Sequence, residues 1–126
     1  MVRMLVKSLV AAATAASMAT ALAHEDAVKP RFGGTVASAA ELGFELVAQG
    51  DGAALYVEDH GKPVPTEGMS GKLTVLKGSA KREAALTAAG GNKLEAQGIA
   101  LGPGAKAVAT LTLPSRKVVT VRFAVK

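Results

Sequence analysis

The clearest pattern in the chain is the alternation of apolar and polar positions near its C-terminal end. In residues 107–113 and again in residues 119–125 every second position is apolar, and threonine or arginine occupies several of the positions between. A period of two is typical of a β-strand with one buried face, because successive side chains point to opposite sides. We therefore expect two strands that line one core. The apolar sets are Ala107, Ala109, Leu111 and Leu113, and then Val119, Val121, Phe123 and Val125.

A second stretch, residues 42–59, predicts a β-hairpin. Its first arm alternates the apolar residues Leu42, Phe44 and Leu46 with smaller or polar residues, and a Gly/Asp cluster separates it from a second apolar arm. Such a cluster can adopt the positive φ angles of a tight hairpin turn.

The remaining segments give shorter strand signals. Strands are expected from residue 35 and over residues 72–77 and 93–96, whereas the prolines and glycines of residues 61–71 predict a loop. Residues 81–88 are ambiguous, because their composition favours a helix while the neighbouring strands favour a strand. Seven or eight short strands with frequent turn signals predict an all-β fold, a single Ig-like antiparallel β-sandwich.

The N-terminal segment predicts a secretory signal peptide. A short basic start precedes the apolar, alanine-rich residues 8–21, and Ala21-Leu22-Ala23 is a small-x-small cleavage signal. The alternative is a membrane anchor, but the apolar run is shorter than the roughly 20 residues that a span needs, and it ends in a cleavage signal. The sequence therefore predicts export to a bacterial periplasm.

Cleavage after Ala23 would divide the chain into three segments. Residues 1–23 would be the signal peptide, residues 24–31 a flexible polar tail, and residues 32–126 the folded domain. Removing 23 of 126 residues leaves 103, enough for one small domain. The chain has no cysteine, which excludes disulfides and thiolate zinc sites. No later segment is apolar enough to predict a membrane span.

Charge is distributed unevenly along the chain. Residues 24–71 carry eight acidic and three basic residues, a net charge of −5, whereas residues 72–126 carry ten basic and two acidic residues, a net charge of +8. In a sandwich the two halves should interleave, so we expect this polarity to cancel largely on the surface. Nucleic-acid binding is not expected, because the chain has one tyrosine, no tryptophan and no basic segment interleaved with aromatic residues.

Two features could bind a metal ion. The first is His24, which cleavage would make the N-terminal residue, so that its amine and imidazole could chelate Cu(II) together. The second is Glu58-Asp59-His60 at the end of the hairpin, where a carboxylate beside a histidine can ligate a metal or orient the imidazole. The alternatives are a polar tail that happens to begin with histidine, and Asp-His-Gly as ordinary turn chemistry.

No spacing of residues favours catalysis. A serine, histidine and aspartate set can be drawn from Ser70, His60 and Asp59, but only their presence supports it. The Gly-Gly pairs lack the strand-loop-helix context of a phosphate-binding loop. We therefore expect a protein that is not an enzyme.

Several segments resemble a poorly characterised family of small exported bacterial proteins that accompany heavy-metal efflux and copper-handling systems. Members of that family often carry histidine before the Gly-Gly pair and in the first hairpin arm, where this chain has Phe32 and Phe44, so His60 is the remaining internal histidine. An N-terminal histidine on a small β-sandwich is also similar to periplasmic copper-resistance carriers. The segments that carry the resemblance are Phe32-Gly33-Gly34-Thr35-Val36, Phe44-Glu45-Leu46-Val47, residues 55–64, residues 87–94 and Leu111-Thr112-Leu113-Pro114.

Together, these features predict a periplasmic, non-catalytic binding or accessory protein of a heavy-metal or copper homeostasis or efflux system. The candidate ligands for Cu(II) are His24, His60 and Asp59. An envelope or efflux-system protein would be its partner. The alternative is a metal-free structural or interaction module of the cell envelope, docking through a sheet edge or through the loop of residues 61–71.

Overall fold

The computed structural model describes residues 28–126, which form nine antiparallel β-strands and no helix. The predicted all-β class is confirmed. The predicted signal peptide, the first residues of the predicted tail and the candidate ligand His24 lie outside the described residues. No helix that could cross a bilayer occurs in the part of the chain that the structure describes. The strands are β1 (Thr35–Ala39), β2 (Leu42–Gln49), β3 (Gly52–Asp59), β4 (Lys62–Pro63), β5 (Ser70–Lys77), β6 (Ala80–Ala88), β7 (Lys93–Ala96), β8 (Lys106–Thr112) and β9 (Val118–Ala124).

Hydrogen bonds join all nine strands into one sheet. Its order is β1-β2-β3-β7-β6-β5-β8-β9, and the short strand β4 pairs with β3. Strand β9 packs near β1, so the sheet is nearly closed. Strands β7 and β6 pair over only two positions, with Thr87 opposite Glu95 and Ala88 opposite Leu94. The sheet is thus divided into a first strand group (β1, β2, β3 and β7) and a second strand group (β6, β5, β8 and β9).

Both strand groups contribute side chains to one hydrophobic core. The alternating sets predicted from the sequence point into this core, with Phe123 only 4 % exposed. Phe32 is different, because it is 52 % exposed and lies outside the core rather than among the core rings. The largest buried apolar side chains are Phe44, Leu46, Leu55, Val57, Leu73, Leu86, Leu94, Ile99, Leu111 and Val121.

The segment with ambiguous propensity is a strand. Strand β6 pairs with β5 from Ala80 opposite Lys77 to Thr87 opposite Ser70. Since Leu86 is buried in the core by this pairing, tertiary packing prevails over the helix propensity of the segment.

The predicted loop of residues 61–71 contains more order than expected. It includes β4 and the first residues of β5, and its Thr66 is completely buried. The hydroxyl of Thr66 donates to the carbonyl oxygen of Lys93 at 2.9 Å, and its backbone N–H donates to that of Gly91 at 3.0 Å. These bonds attach the loop to the turn that precedes β7.

Candidate functional site

Two tight turns lie together at one end of the first strand group. The turn between β3 and β4 contains His60 (φ 53°) and Gly61 (φ 85°), and the turn between β1 and β2 contains Ala40 (φ 52°) and Glu41 (φ 66°). Positive φ at both central residues is the geometry that matches the right-handed twist of paired strands. The predicted turn at His60 is confirmed, and it presents the imidazole at the rim of the sheet.

Residues 28–34, which we call the N-terminal strap, cross the outer face of β2 and β3. The side chain of Glu45 holds the strap through three backbone N–H groups. Its Oε1 accepts a hydrogen bond from Arg31 at 2.7 Å, and its Oε2 accepts bonds from Phe32 at 2.9 Å and Gly34 at 2.7 Å. Glu45 is only 4 % exposed. Three N–H donors compensate this buried carboxylate with charge-assisted hydrogen bonds at both of its oxygen atoms.

Side chains of the strap add contacts to this backbone attachment. The ring of Phe32 stacks on Tyr56 with centroids 4.1 Å apart and planes inclined by 21°. Arg31 donates from Nε to Glu58 Oε2 at 3.3 Å and from Nη2 to the carbonyl oxygen of Gly61 at 3.2 Å. Through Arg31, the strap is connected directly to the turn that carries His60.

Close approach of the strap also depends on a glycine of β2. A Cβ atom added to Gly43 would lie 2.7 Å from Cγ2 of Val28, which is closer than carbon atoms pack. The first described residues of the predicted tail, residues 28–31, therefore lie against the sheet, although the sequence predicted a flexible segment there.

The strap and the two turns enclose an open groove of about 630 Å³. Its lining is polar and of mixed charge, with Lys29 and Arg31 on the strap side and Glu41 and Glu58 on the sheet side. His60 and Val28 line the same groove. The described part of the chain thus begins at the groove that His60 also lines.

The structure brings two of the three candidate ligands together. Asp59 Oδ1 lies 2.6 Å from His60 Nδ1, and both side chains are more than half exposed. A carboxylate at one ring nitrogen fixes the orientation of an imidazole and directs the other nitrogen outwards, as in many metal sites. Among residues 28–126 no group of three or more His, Cys, Asp or Glu side chains is arranged to hold a metal ion. A complete site would therefore need a ligand from outside the described residues.

Sequence reasoning missed Glu45 and the strap. Glu45 occupies an outward position of β2 between Phe44 and Leu46, a pattern that predicts a solvent-exposed carboxylate. The only local sign is the pair Gly33-Gly34, whose backbone can approach another group closely.

Comparison of the chain with protein-family models, with curated proteins and with solved structures finds no match. The fold and the site define an all-β domain with an exposed carboxylate–histidine pair. This pair lies at the edge of the groove between the N-terminal strap and the two turns. Function has to be argued from this site, because the fold alone does not determine it.

Proposed function

We propose that the protein is an exported, non-catalytic accessory protein of periplasmic copper homeostasis, which binds Cu(II) through His24 and His60. The single observation that carries this proposal is that Val28, the first described residue, lines the same groove as His60. Asp59 has the supporting role of orienting the His60 ring.

Chain length permits the two histidines to meet. Val28 lines the groove with His60, and His24 precedes Val28 by four positions. Four extended residues span at most about 13–14 Å, so His24 remains within that distance of the groove.

The chemistry of the ligands suits Cu(II). After cleavage at Ala23, the free amine and the imidazole of His24 would form a two-nitrogen chelate, and His60 would add a third nitrogen. Three nitrogen ligands favour Cu(II) in a planar arrangement. Ordering a free tail would cost roughly 1–2 kcal/mol for each fixed residue, and the strap reduces that cost because residues 28–34 already lie on the sheet.

A Cu(II) titration tests the proposal. The protein that begins at His24 should bind most tightly, His60→Ala should bind more weakly, and both His24→Ala and a form with one added N-terminal residue should lose the chelate. Ser38→Ala is the matched control, because Ser38 lines the same groove without offering a nitrogen ligand. Equal affinity in all these forms would refute the copper site, whereas a loss that spares His60→Ala would leave His60 as a turn residue only.

Export is tested separately by the mass of the periplasmic protein. Cleavage after Ala23 predicts a chain that starts at His24. A product that retains Met1 would contradict both the export and the N-terminal chelate.

The second candidate function is a metal-free interaction module of the envelope. The observation that favours it is the edge of β6, which in the described structure pairs with β7 only through Thr87 and Ala88. The earlier residues of β6 pair with β5 on one side and leave backbone groups available on the other, which is a common docking site for an added strand. Copper binding that requires both histidines would favour the first function over this one.

A further inference from the structure

Strand order keeps the acidic and the basic parts of the chain apart. Residues 28–71 carry six acidic and three basic residues, and they form β1 to β4 and the start of β5. Residues 72–126 carry ten basic and two acidic residues, and β5, β6, β8 and β9 lie side by side in the sheet. The one later strand that joins the first group is β7, where Lys93 and Glu95 pair at 3.1 Å. The expected interleaving of charge therefore does not occur.

The register of the second strand group places one cation from each strand on its outer face. We call this surface the basic face and define it by Lys81 of β6, Lys72 of β5, Lys106 of β8 and Arg122 of β9. All four residues are exposed, and Lys72, Lys106 and Arg122 each adjoin a buried core position. Lys81 shares their face because it and Lys106 both pair with Leu76. In this part of the sheet, which is described completely, Glu83 is the only acidic residue on the same face.

Glu83 compensates only part of this charge. Its Oε2 lies 3.4 Å from Nζ of Lys72 and 3.7 Å from Nζ of Lys81. The four cations and one anion leave a local net charge of +3. The other outward positions are mainly threonine, alanine and valine, so nothing else on the face neutralises it.

The basic face is broad rather than concave. Neighbouring strands lie about 4.8 Å apart, so the four cations extend across roughly 14 Å of sheet. This exceeds the Debye length at physiological salt, about 8 Å, but is well within the length at 0.01 M salt, about 30 Å, so the four charges act together on one facing surface at low salt. None of the four residues lines the groove beside the strap. None lines either of two further grooves, one near Pro63 and Asn92 and the other near Gln49 and Gln97.

We propose that the basic face binds the surface of a membrane that contains anionic phospholipids. Extended cationic charge without a groove complements an extended anionic surface, and each basic residue near such a surface contributes to binding. The face carries no aromatic side chain on which nucleic-acid bases could stack. One exposed apolar residue, Leu76 at 38 %, is opposite both Lys81 and Lys106 in the sheet and can contact the interfacial region.

The fold also sets the orientation of the bound protein. The inner faces of both strand groups pack on one core, so their outer faces point in opposite directions. Binding through the basic face would direct the groove with His60 and the strap away from the lipid. The acidic first strand group, repelled by the same surface, would favour this orientation.

Vesicle co-sedimentation at low salt tests the proposal with the protein that begins at His24. Vesicles of phosphatidylcholine alone are compared with vesicles in which about a third of the lipid is phosphatidylglycerol. The test variant is Lys106→Gln with Arg122→Gln. The matched control is Lys62→Glu, which changes the net charge by the same two units at an exposed position of β4, the short strand that pairs with β3 of the first strand group. Thermal unfolding of each variant checks that the exposed substitutions leave the domain folded.

The expected result is binding to the anionic vesicles only, reduced by added salt and weakened about 30-fold in the double variant. This factor corresponds to about five-fold for each basic residue removed from the surface. Lys62→Glu should change the partition much less. Equal binding to both vesicle types, an equal loss in Lys62→Glu, or no binding to anionic vesicles at low salt would each overturn the proposal. If only an acidic protein, and not the vesicles, binds the basic face, the lipid assignment is also wrong.

Discussion

Replacing Glu45 by glutamine should release the N-terminal strap and leave the rest of the domain intact. The carboxylate of Glu45 accepts three backbone N–H bonds from the strap, one at Oε1 and two at Oε2. Glutamine has the same shape but only one acceptor oxygen, and its amide nitrogen can only donate. In the best orientation its oxygen keeps the bonds from Phe32 and Gly34, while its amide group faces the N–H of Arg31 donor to donor.

The magnitude follows from the difference between charged and neutral hydrogen bonds. A bond to a charged group contributes roughly 1.5–3 kcal/mol, against roughly 0.5–1.5 kcal/mol for a neutral pair. One bond is lost and two are weakened, but a released strap regains hydration and conformational freedom, which offsets part of the loss. We therefore expect the free energy of opening the strap to fall by about 2–4 kcal/mol.

Amide hydrogen exchange measures this opening residue by residue. In the unmodified protein the N–H groups of Arg31, Phe32 and Gly34 should exchange slowly, and Glu45→Gln should accelerate them by about 30- to 1,000-fold, as 1.4 kcal/mol corresponds to a factor of ten. The N–H of Val57, which donates to the carbonyl oxygen of Asn92 in the turn before β7 at 3.0 Å, should stay protected and serves as the internal control.

A second variant separates the strap from a general effect of lost charge. Glu67→Gln makes the same chemical change at an exposed loop position and should leave all these exchange rates unaltered. If the strap amides exchange at the same rate with and without Glu45, the carboxylate does not hold the strap. If Val57 loses protection by the same factor as the strap, Glu45 stabilises the whole domain instead.

Two further substitutions test the packing of the sheet by urea unfolding. Phe123→Ala should lower the free energy of unfolding by roughly 3–5 kcal/mol, because the ring is only 4 % exposed. Val118→Ala, on the outward side of the same strand, should change it by less than about 0.5 kcal/mol. A loss below about 1 kcal/mol for Phe123→Ala would contradict its place in the core. Gly71→Ala should destabilise the domain more than Gly78→Ala, because a Cβ at Gly71 would lie 2.2 Å from the carbonyl oxygen of Thr110. A Cβ at Gly78 would have open space, and only the strain of its positive φ would count against alanine. Equal losses of stability would show that β5 and β8 can separate without penalty.

Strands with a regular alternation could be predicted from the sequence because side-chain direction is a local property of an extended backbone. The apolar sets of β2, β8 and β9 all point into the core as expected. Residues 81–88 were ambiguous for the opposite reason. Their helix propensity is a local property. The burial of Leu86, which favours a strand instead, depends on pairing with β5, and no local pattern predicts that pairing.

The candidate site could be predicted only in part. Asp59-His60-Gly61 is a local turn signal, and the structure has the turn where the sequence placed it. Glu45 escaped prediction because its burial depends on a segment 11 to 14 positions earlier that folds back over the outer face of the sheet. For the same reason no local pattern predicts that Phe32 stacks on Tyr56 outside the core.

Separation of charge was the largest departure from expectation, and it has a topological cause. Two halves of a chain interleave in space only if the strands of one half insert between those of the other. Here β7 is the only later strand to join the first group, and its Lys93 and Glu95 neutralise each other, so the acidic and basic segments of the sequence become acidic and basic sides of the molecule. Local sequence patterns indicate where strands begin and end, but they do not indicate which strands are neighbours in the sheet.

Opposite placement of the groove and the basic face has a consequence for how the two proposed sites interact. The core between them is filled by side chains such as Phe44, Leu55 and Leu73 that are fully buried, so a ligand on either outer face leaves the packing of the other unchanged. Distant sites without a shared partner or a bistable element between them contribute additively. Lys106→Gln with Arg122→Gln should therefore weaken vesicle binding without changing the affinity for Cu(II), and His60→Ala should do the reverse. Coupling between the two measurements would mean that the strap, and not the rigid sheet, connects the two faces.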